Sequence, residues 1–457
     1  MNITDNKFEK TPIEEHSQVT MQTIFKLSWP VMIGMILQSL LNTVDTYFIS
    51  NLGVNQAAAA GIANSITGVI FVISTLVSAG TIALVSRSYG ENDYLKVKRY
   101  SGNSIALAGL IGISLGILCY LNAISIIEKI FSPSEIVGNF AYEYISIIFL
   151  GTVFVFLNSA LRTIIQSLGD TMTPLIIFGF SNIINILLDY IFIFQMNMGI
   201  QGAAIATVIS NLFSFIAAIV IVLIKIYEKN IILFIANLKI HFETTSRIFR
   251  IGGWACLQQV ARPITGMLMF SLVYEVGQAE GSAAFNIGSQ LFNYTFIVLI
   301  GLSTGISIMV GQSLGRGNIH QCDKIIKEGL KIAFINVLIF SLPYVIFPSY
   351  MMRIFIKDPA VISYGVSYLR IIYMGIVFVV FTTTYGGVFQ GAGDTFPPML
   401  ASIVANVVFK LPLAYILAKS FNLELNGVWY SIALSVFIEA IIILFYFKTN
   451  RWKVFKI

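Results

Sequence analysis

Charge is what this sequence has least of. Only 11% of its 457 residues are Asp, Glu, Lys or Arg, where a soluble domain carries roughly 25%. Hydrophobic residues make up 57%, which excludes an ordinary water-exposed globular fold. Cysteine is scarce as well, with three residues. Cys119, Cys256 and Cys322 lie far apart without pair spacing, which excludes a disulfide framework and a thiolate zinc site. The three histidines, His16, His241 and His320, fall in segments outside the apolar runs and read as solvated residues, not metal ligands. No Gly-x-x-x-x-Gly-Lys-Ser/Thr phosphate loop occurs, so ATP is not expected to drive the protein directly. With no His in any apolar run and no Cys or Ser beside a base at one depth, an enzyme embedded in the membrane would lack its nucleophile and base. Neither catalysis nor a cofactor is expected.

What the chain does have is apolar length. About twenty apolar residues cross about 30 Å of hydrocarbon as a helix. Such runs occupy 27–50, 58–85, 100–122, 141–165, 173–196, 202–226, 252–275, 283–311, 329–349, 366–390, 397–419 and 427–447. The expected fold is therefore all-α and integral to the membrane, with twelve transmembrane helices. Residues 1–26 form a polar tail without the apolar core of a cleaved signal. The stretch 227–250 mixes apolar and basic residues, as a partly helical connector lying along the inner membrane surface would; 448–457 is a second tail. Lys and Arg concentrate in the tails and in alternate loops. This bias predicts a multi-pass protein of the inner cell membrane with both termini cytoplasmic. The net charge of +6 then reflects topology, and no nucleic-acid partner is expected.

The chain also repeats itself. Gln166-Ser-Leu-Gly169-Asp170-Thr171-Met-Thr-Pro174 returns as Gln390-Gly-Ala-Gly393-Asp394-Thr395-Phe-Pro-Pro398. The same offset of 224 residues, from Gln166 to Gln390, brings Lys26 onto Arg250 and Asn182 onto Asn406. With one extra residue it brings Ser88 onto Ser313 and Gly202 onto Gly427. The twelve spans thus form two pseudo-symmetric six-helix lobes, 27–226 and 251–447, as in transporters whose substrate site lies between related bundles. Within the repeated phrase, Asp170 or Thr171 can cap the next helix, and Pro174 or Pro397 suits its first turn. An Arg162–Asp170 contact locking the inner ends of the lobes is the alternative use of the aspartate.

Ionisable residues inside a membrane span are expensive and are functional candidates by default. Gln38, Asn42 and Asp45 recur at helical spacing on the first span, and Asn182, Asn185 and Asp189 do so on the fifth. Asp45, Asp189 and Thr207 each lie roughly 12–15 Å from the turn at one end of their spans, so they share a level. Two carboxylates, the Asn185 amide and the Thr207 hydroxyl would supply oxygen ligands for a hard cation such as Na⁺, or a pair of acids able to share a proton. The plainer alternative has each aspartate merely hydrogen-bonded to a neighbouring helix.

These residues carry a resemblance. Trp29-Pro30 at the start of span one, Asn-Thr-Val-Asp45-Thr-Tyr-Phe-Ile, Asn185-Ile-Leu-Leu-Asp189 and Gly202-Ala-Ala-Ile-Ala-Thr207, set in a duplicated twelve-span plan, resemble the DinF-like prokaryotic branch of the multidrug and toxic compound extrusion (MATE) family. The resemblance covers nearly the whole chain. It implies a monomer in the lipid bilayer that exports small amphipathic organic substrates by antiport with H⁺ or Na⁺, alternating access between its lobes. Asp45, Asn185, Asp189 and Thr207 would form the cation site, and Pro30 would permit a bend of span one. One departure is Tyr190, where the family commonly has proline; it puts a bend of span five in doubt and places a phenol next in sequence to the carboxylate.

The second half differs in chemistry. Its mid-depth charges are Arg262, Lys410 and Glu439, which the repeat maps onto Gln38, the neighbour of Asn185, and Ser214. Glu439 is expected to pair with one base and leave the other available, either as a structural network or as a substrate cavity accepting anionic or zwitterionic groups. Gln258, Gln259, Asn286, Gln290, Asn293, Tyr294, Tyr373 and Tyr385 are candidates to line that cavity. A rival reading is a lipid-linked saccharide flippase that holds a pyrophosphate on Arg262 and Lys410.

Overall fold

The computed structural model describes residues 20–455. His16 and most of the expected N-terminal tail lie outside the described residues, as do residues 456–457. Among the described residues every regular element is helical: α1 (Met21–Ser50), α2 (Val54–Gly90), α3 (Tyr94–Leu121), α4 (Ala123–Phe131), α5 (Glu135–Ser167), α6 (Met172–Gln195), α7 (Gly199–Lys225), α8 (Ile231–Asn237), α9 (Phe242–Gly315), α10 (Ile319–Ile346), α11 (Pro348–Arg353), α12 (Pro359–Ala392), α13 (Phe396–Ser420), α14 (Glu424–Lys448) and α15 (Arg451–Val454). Eleven of these are long and apolar enough to cross a membrane. One of them, α9, holds two spans: Gln278 adopts non-helical φ 52° and ψ −146° between the runs expected at 252–275 and 283–311. The twelve-helix plan is therefore present, with one junction reduced to a single broken residue. The connector supplies the short α8 and then passes directly into α9.

Several helices start where side chains satisfy their free amides. Asp93 accepts from the Lys96 N–H at α3, Asn318 from the Gln321 N–H at α10, and Asp358 from the Ala360 and Val361 N–H groups at α12. At the repeated phrase it is Asp170 that caps, accepting from the Thr173 N–H at 2.9 Å. Its other oxygen takes the Lys225 ammonium at 2.6 Å. Asp170 thus takes the expected capping role, and the alternative Arg162–Asp170 lock is absent: the end of α7 returns to this corner and delivers Lys225. Burial pushes the Asp170 carboxyl up, but Lys225 and the Thr173 donors outweigh it and hold the group below the usual carboxylate range.

Two compact units divide the chain. The first contains residues 33–252; the second contains the stretch ending at Met32 together with Gly253–Ile457. In the first, α5 is central and packs on α2, α3 and α7. Small residues let these helices approach, as is usual where lipid removes the hydrophobic drive for helix association. A Cβ on Gly116 of α3 would stand 2.6 Å from the Phe149 carbonyl oxygen, and one on Gly151 would stand 2.5 Å from the Val208 side chain. Val85, Tyr89, Leu161, Ile164, Val222 and Tyr227 form a buried apolar cluster at one end. In the second unit α12 takes the central part against α10 and α14, and a Cβ on Gly375 would stand 2.8 Å from the Ala433 Cα.

The sequence repeat is also a conformational repeat. Positive φ occurs at Asn92 and Gly317, at Gly169 and Gly393, at Asn197 and Asn422, and at Gly199 and Glu424, pairs separated by the repeat offset. A π-helical turn at Tyr190–Gln195 has its counterpart at Ile416–Ser420. Such turns widen a helix locally without proline. Tyr190 thus opens a π turn in place of a proline bend. Its ring is half exposed, tilted against Phe194. Pro30 lies inside an unbroken α1.

Candidate functional site

The first unit encloses a narrow cavity of about 220 Å³ whose walls come from one face each of α1, α2, α5, α6 and α7. Gln38, Asn42 and Asp45 line it from α1; Asn182 and Asn185 from α6; Thr207, Asn211 and Ser214 from α7. Both polar stripes therefore face one space. Gln38 Nε2 donates to Asn42 Oδ1 at 3.3 Å, which ties the α1 stripe together.

At one end of this cavity the structure brings together the four residues of the sequence-derived cation site. The Asn185 amide, oriented by its neighbours, donates to Asp45 Oδ1 at 3.1 Å and accepts from the Thr207 N–H at 3.3 Å. The Thr207 hydroxyl donates to the Ala203 carbonyl at 3.0 Å. Asp189 is 1% exposed, and neither of its carboxylate oxygens meets a protein donor; the group it faces is the Asp45 carboxyl. Two acceptors in contact, one of them buried, need a proton or a cation between them. The surrounding donors are carboxylate, amide carbonyl and hydroxyl oxygens, suited to H⁺ or a hard cation and not to a soft transition metal. No cluster of three or more His, Cys, Asp or Glu occurs among the described residues.

Tyr144 is the member that sequence reasoning missed. It is buried on α5 and lines the same cavity wall as Asp45, Asn185 and Thr207. The signal was present: the 224-residue offset pairs Tyr144 with Tyr368, likewise buried. From Tyr144 the cavity wall follows α5 past Gly151 and Asn158 to Arg162, about 27 Å along the helix at 1.5 Å per residue.

In the second unit Arg262 of α9, Asn406 of α13 and Glu439 of α14 meet. Arg262 donates to Glu439 Oε1 at 3.3 Å, and Asn406 Nδ2 donates to Oε2 at 3.4 Å. The Arg262 guanidinium lies over the Phe296 ring at 4.7 Å. Lys410, one turn beyond Asn406, is within electrostatic range of both Arg262 and Glu439. The other candidates do not gather here. Gln290 donates to the Tyr294 hydroxyl at 3.3 Å on the exposed face of α9, and Gln259 is exposed on the same helix. Tyr385 packs between Phe381 and Phe447.

An all-helical, internally duplicated membrane protein with two facing acids in one repeat, one of them buried, has the plan of a transporter. The MatE family model matches residues 30–191 and again 254–416, once in each half. The chain belongs to that family: it is a multi-pass membrane transporter and not an enzyme. It is 27% identical over 447 residues to the probable multidrug resistance protein NorM of Thermotoga maritima, covering 97% of this chain and 95% of that one. It is 24% identical over 439 residues to the multidrug export protein MepA of Staphylococcus aureus, covering 94% and 92%. A MATE transporter crystallised in the straight conformation superposes with a TM-score of 0.87 at 22% identity, covering 97% of this chain and 98% of that one.

Proposed function

We propose that the protein exports small amphipathic organic molecules by antiport with H⁺ or Na⁺, which binds as cargo at Asp45, Asn185, Asp189 and Thr207. The observation that carries this reading is the Asp189 carboxylate, buried without a donor and facing Asp45. The names of the NorM and MepA relatives support the efflux of drugs. A cation arriving between the two acids neutralises their repulsion and draws α1 toward α6, while its loss lets them separate. Coupling requires that the cation bind one state more tightly than the other. The remainder of α1 turns on Pro30, where the ring removes one helix hydrogen bond. The two lobes then alternate access to the two sides.

Proteoliposome efflux under separately imposed pH and Na⁺ gradients tests this reading. Asp45→Asn and Asp189→Asn are each expected to abolish acceleration by whichever gradient drives the wild type. Full gradient-driven efflux by both variants overturns the assignment.

A further inference from the structure

The second unit holds a charge that no described residue pairs with directly. Glu439 is spoken for: Arg262 occupies one of its oxygens and Asn406 the other. Lys410 has no hydrogen-bond or ion-pair partner among the described residues, so Arg262, Lys410 and Glu439 together carry a net positive charge. The position leaves little escape. Lys410 lies fourteen residues from the start of α13 at Phe396 and ten from its end at Ser420, about 15–21 Å from either end at 1.5 Å per residue. That is beyond the reach of a lysine side chain snorkelling to an interface. An ammonium held at this depth is costly unless an anion joins it.

Two further observations point to a ligand. The acid is the hidden member: the Glu439 side chain is 5% exposed and that of Arg262 31%, while Lys410 is half-buried. An approaching molecule therefore meets the bases first, with the carboxylate behind them. The repeat offset also maps Arg262, Asn406 and Glu439 onto Gln38, Asn182 and Ser214, all of which line the enclosed cavity of the first unit. These three are cavity-facing positions of the repeat, two of them re-equipped with charge, and Lys410 takes the place of Ile186 next in sequence to the cavity-lining Asn185.

We propose that Lys410 and Arg262 form a binding site for the anionic group of an amphipathic organic substrate, a carboxylate or sulfonate on an aromatic or aliphatic body. Lys410 supplies the uncommitted charge. Arg262, held in place by Glu439 and by the Phe296 ring, offers the guanidinium edge that Glu439 does not use, and Phe296 extends the site toward an apolar body. This deepens the efflux reading, because it names the substrate class the transporter would accept.

Equilibrium binding separates the two claims, since it needs no gradient. The full chain in phosphatidylcholine nanodiscs is titrated with carboxyfluorescein, an organic anion, and with rhodamine 6G, a cation of similar ring system, by fluorescence polarisation. Lys410→Met is expected to weaken carboxyfluorescein about tenfold or more and to leave rhodamine 6G within about twofold; Lys410→Arg retains the anion. Because Arg262→Gln alone strands a buried glutamate, the Arg262→Gln/Glu439→Gln pair is used, and it too is expected to lose the anion. The cation site is tested by gradient-driven efflux and this site by the selectivity between the two dyes with Asp45 and Asp189 intact, so failure of the one is distinguishable from failure of the other. Three results overturn the proposal: unchanged carboxyfluorescein affinity in Lys410→Met, equal loss of both dyes, or displacement of the dye by phosphatidylglycerol and not by soluble aromatic carboxylates.

Discussion

Tyr144 gives the acidic pair a neighbour that neither polar stripe supplies. It lines the cavity beside Thr207, whose backbone holds the Asn185 amide against Asp45. A phenylalanine there keeps the ring and removes the hydroxyl from the site. A hydroxyl that hydrogen-bonds within such a site contributes about 0.5–1.5 kcal/mol, so Tyr144→Phe is expected to raise the cation concentration giving half-maximal efflux by about two- to thirteenfold while protein yield stays unchanged. The cation dependence of proteoliposome efflux measures it. At this scale much was legible in the sequence. The spacing of Gln38, Asn42 and Asp45 and of Asn182, Asn185 and Asp189 marks two helix faces, and rise per residue places them at one depth. Tyr144 carries no such mark on its own helix. Lys225 as the partner of Asp170 was hidden for a related reason: it lies 55 residues away in sequence, on a helix whose return path no local pattern specifies.

Among elements, the contact between the fourth and sixth spans of each repeat shows how far the halves have drifted. Gly151 faces the Val208 side chain, whose methyls have some freedom to turn; Gly375 faces the Ala433 backbone, with Cα at 2.8 Å and the carbonyl oxygen at 3.0 Å. A Cβ at Gly375 must move a whole helix. Overpacking of this sort costs about 1–3 kcal/mol. Gly375→Ala is therefore expected to lower the thermal unfolding midpoint in detergent clearly, and Gly151→Ala by less; an equal drop would show that α12 and α14 yield as readily as a side chain. The spans themselves were readable from apolar length, and the junction at Gln278 differs from the expected loop only because the break is one residue long. The π turns were not readable, since hydrogen-bond register leaves no trace in the apolar pattern.

For the whole molecule, the telling feature is where the start of each half packs. In the first unit, Gly252 of α9 meets the Leu76 carbonyl and Gly80 meets Ile248. In the second, Gly301 meets Met32 and Gly305 meets Ser28, the corresponding pair of helices in contact one helical turn out of register. The opening turns of α1 thus complete the second unit, and those of α9 complete the first. A fragment of residues 1–237 lacks the turns that cover Gly80, and its complement lacks those that cover Gly305. Each expressed alone is expected to be lost to degradation, whereas the two expressed together are expected to accumulate and restore efflux, as quantitative blotting of membranes and a dye-efflux assay would show. Stable accumulation of either fragment alone would mean that the exchanged turns are dispensable.

That reciprocity bears on descent. A gene encoding one six-helix half could not have closed its own fold by itself, but two copies trading their first helical turns would have closed each other. The ancestor implied is a swapped homodimer, and joining its genes end to end freed the two copies to part ways in charge while each still held the other shut.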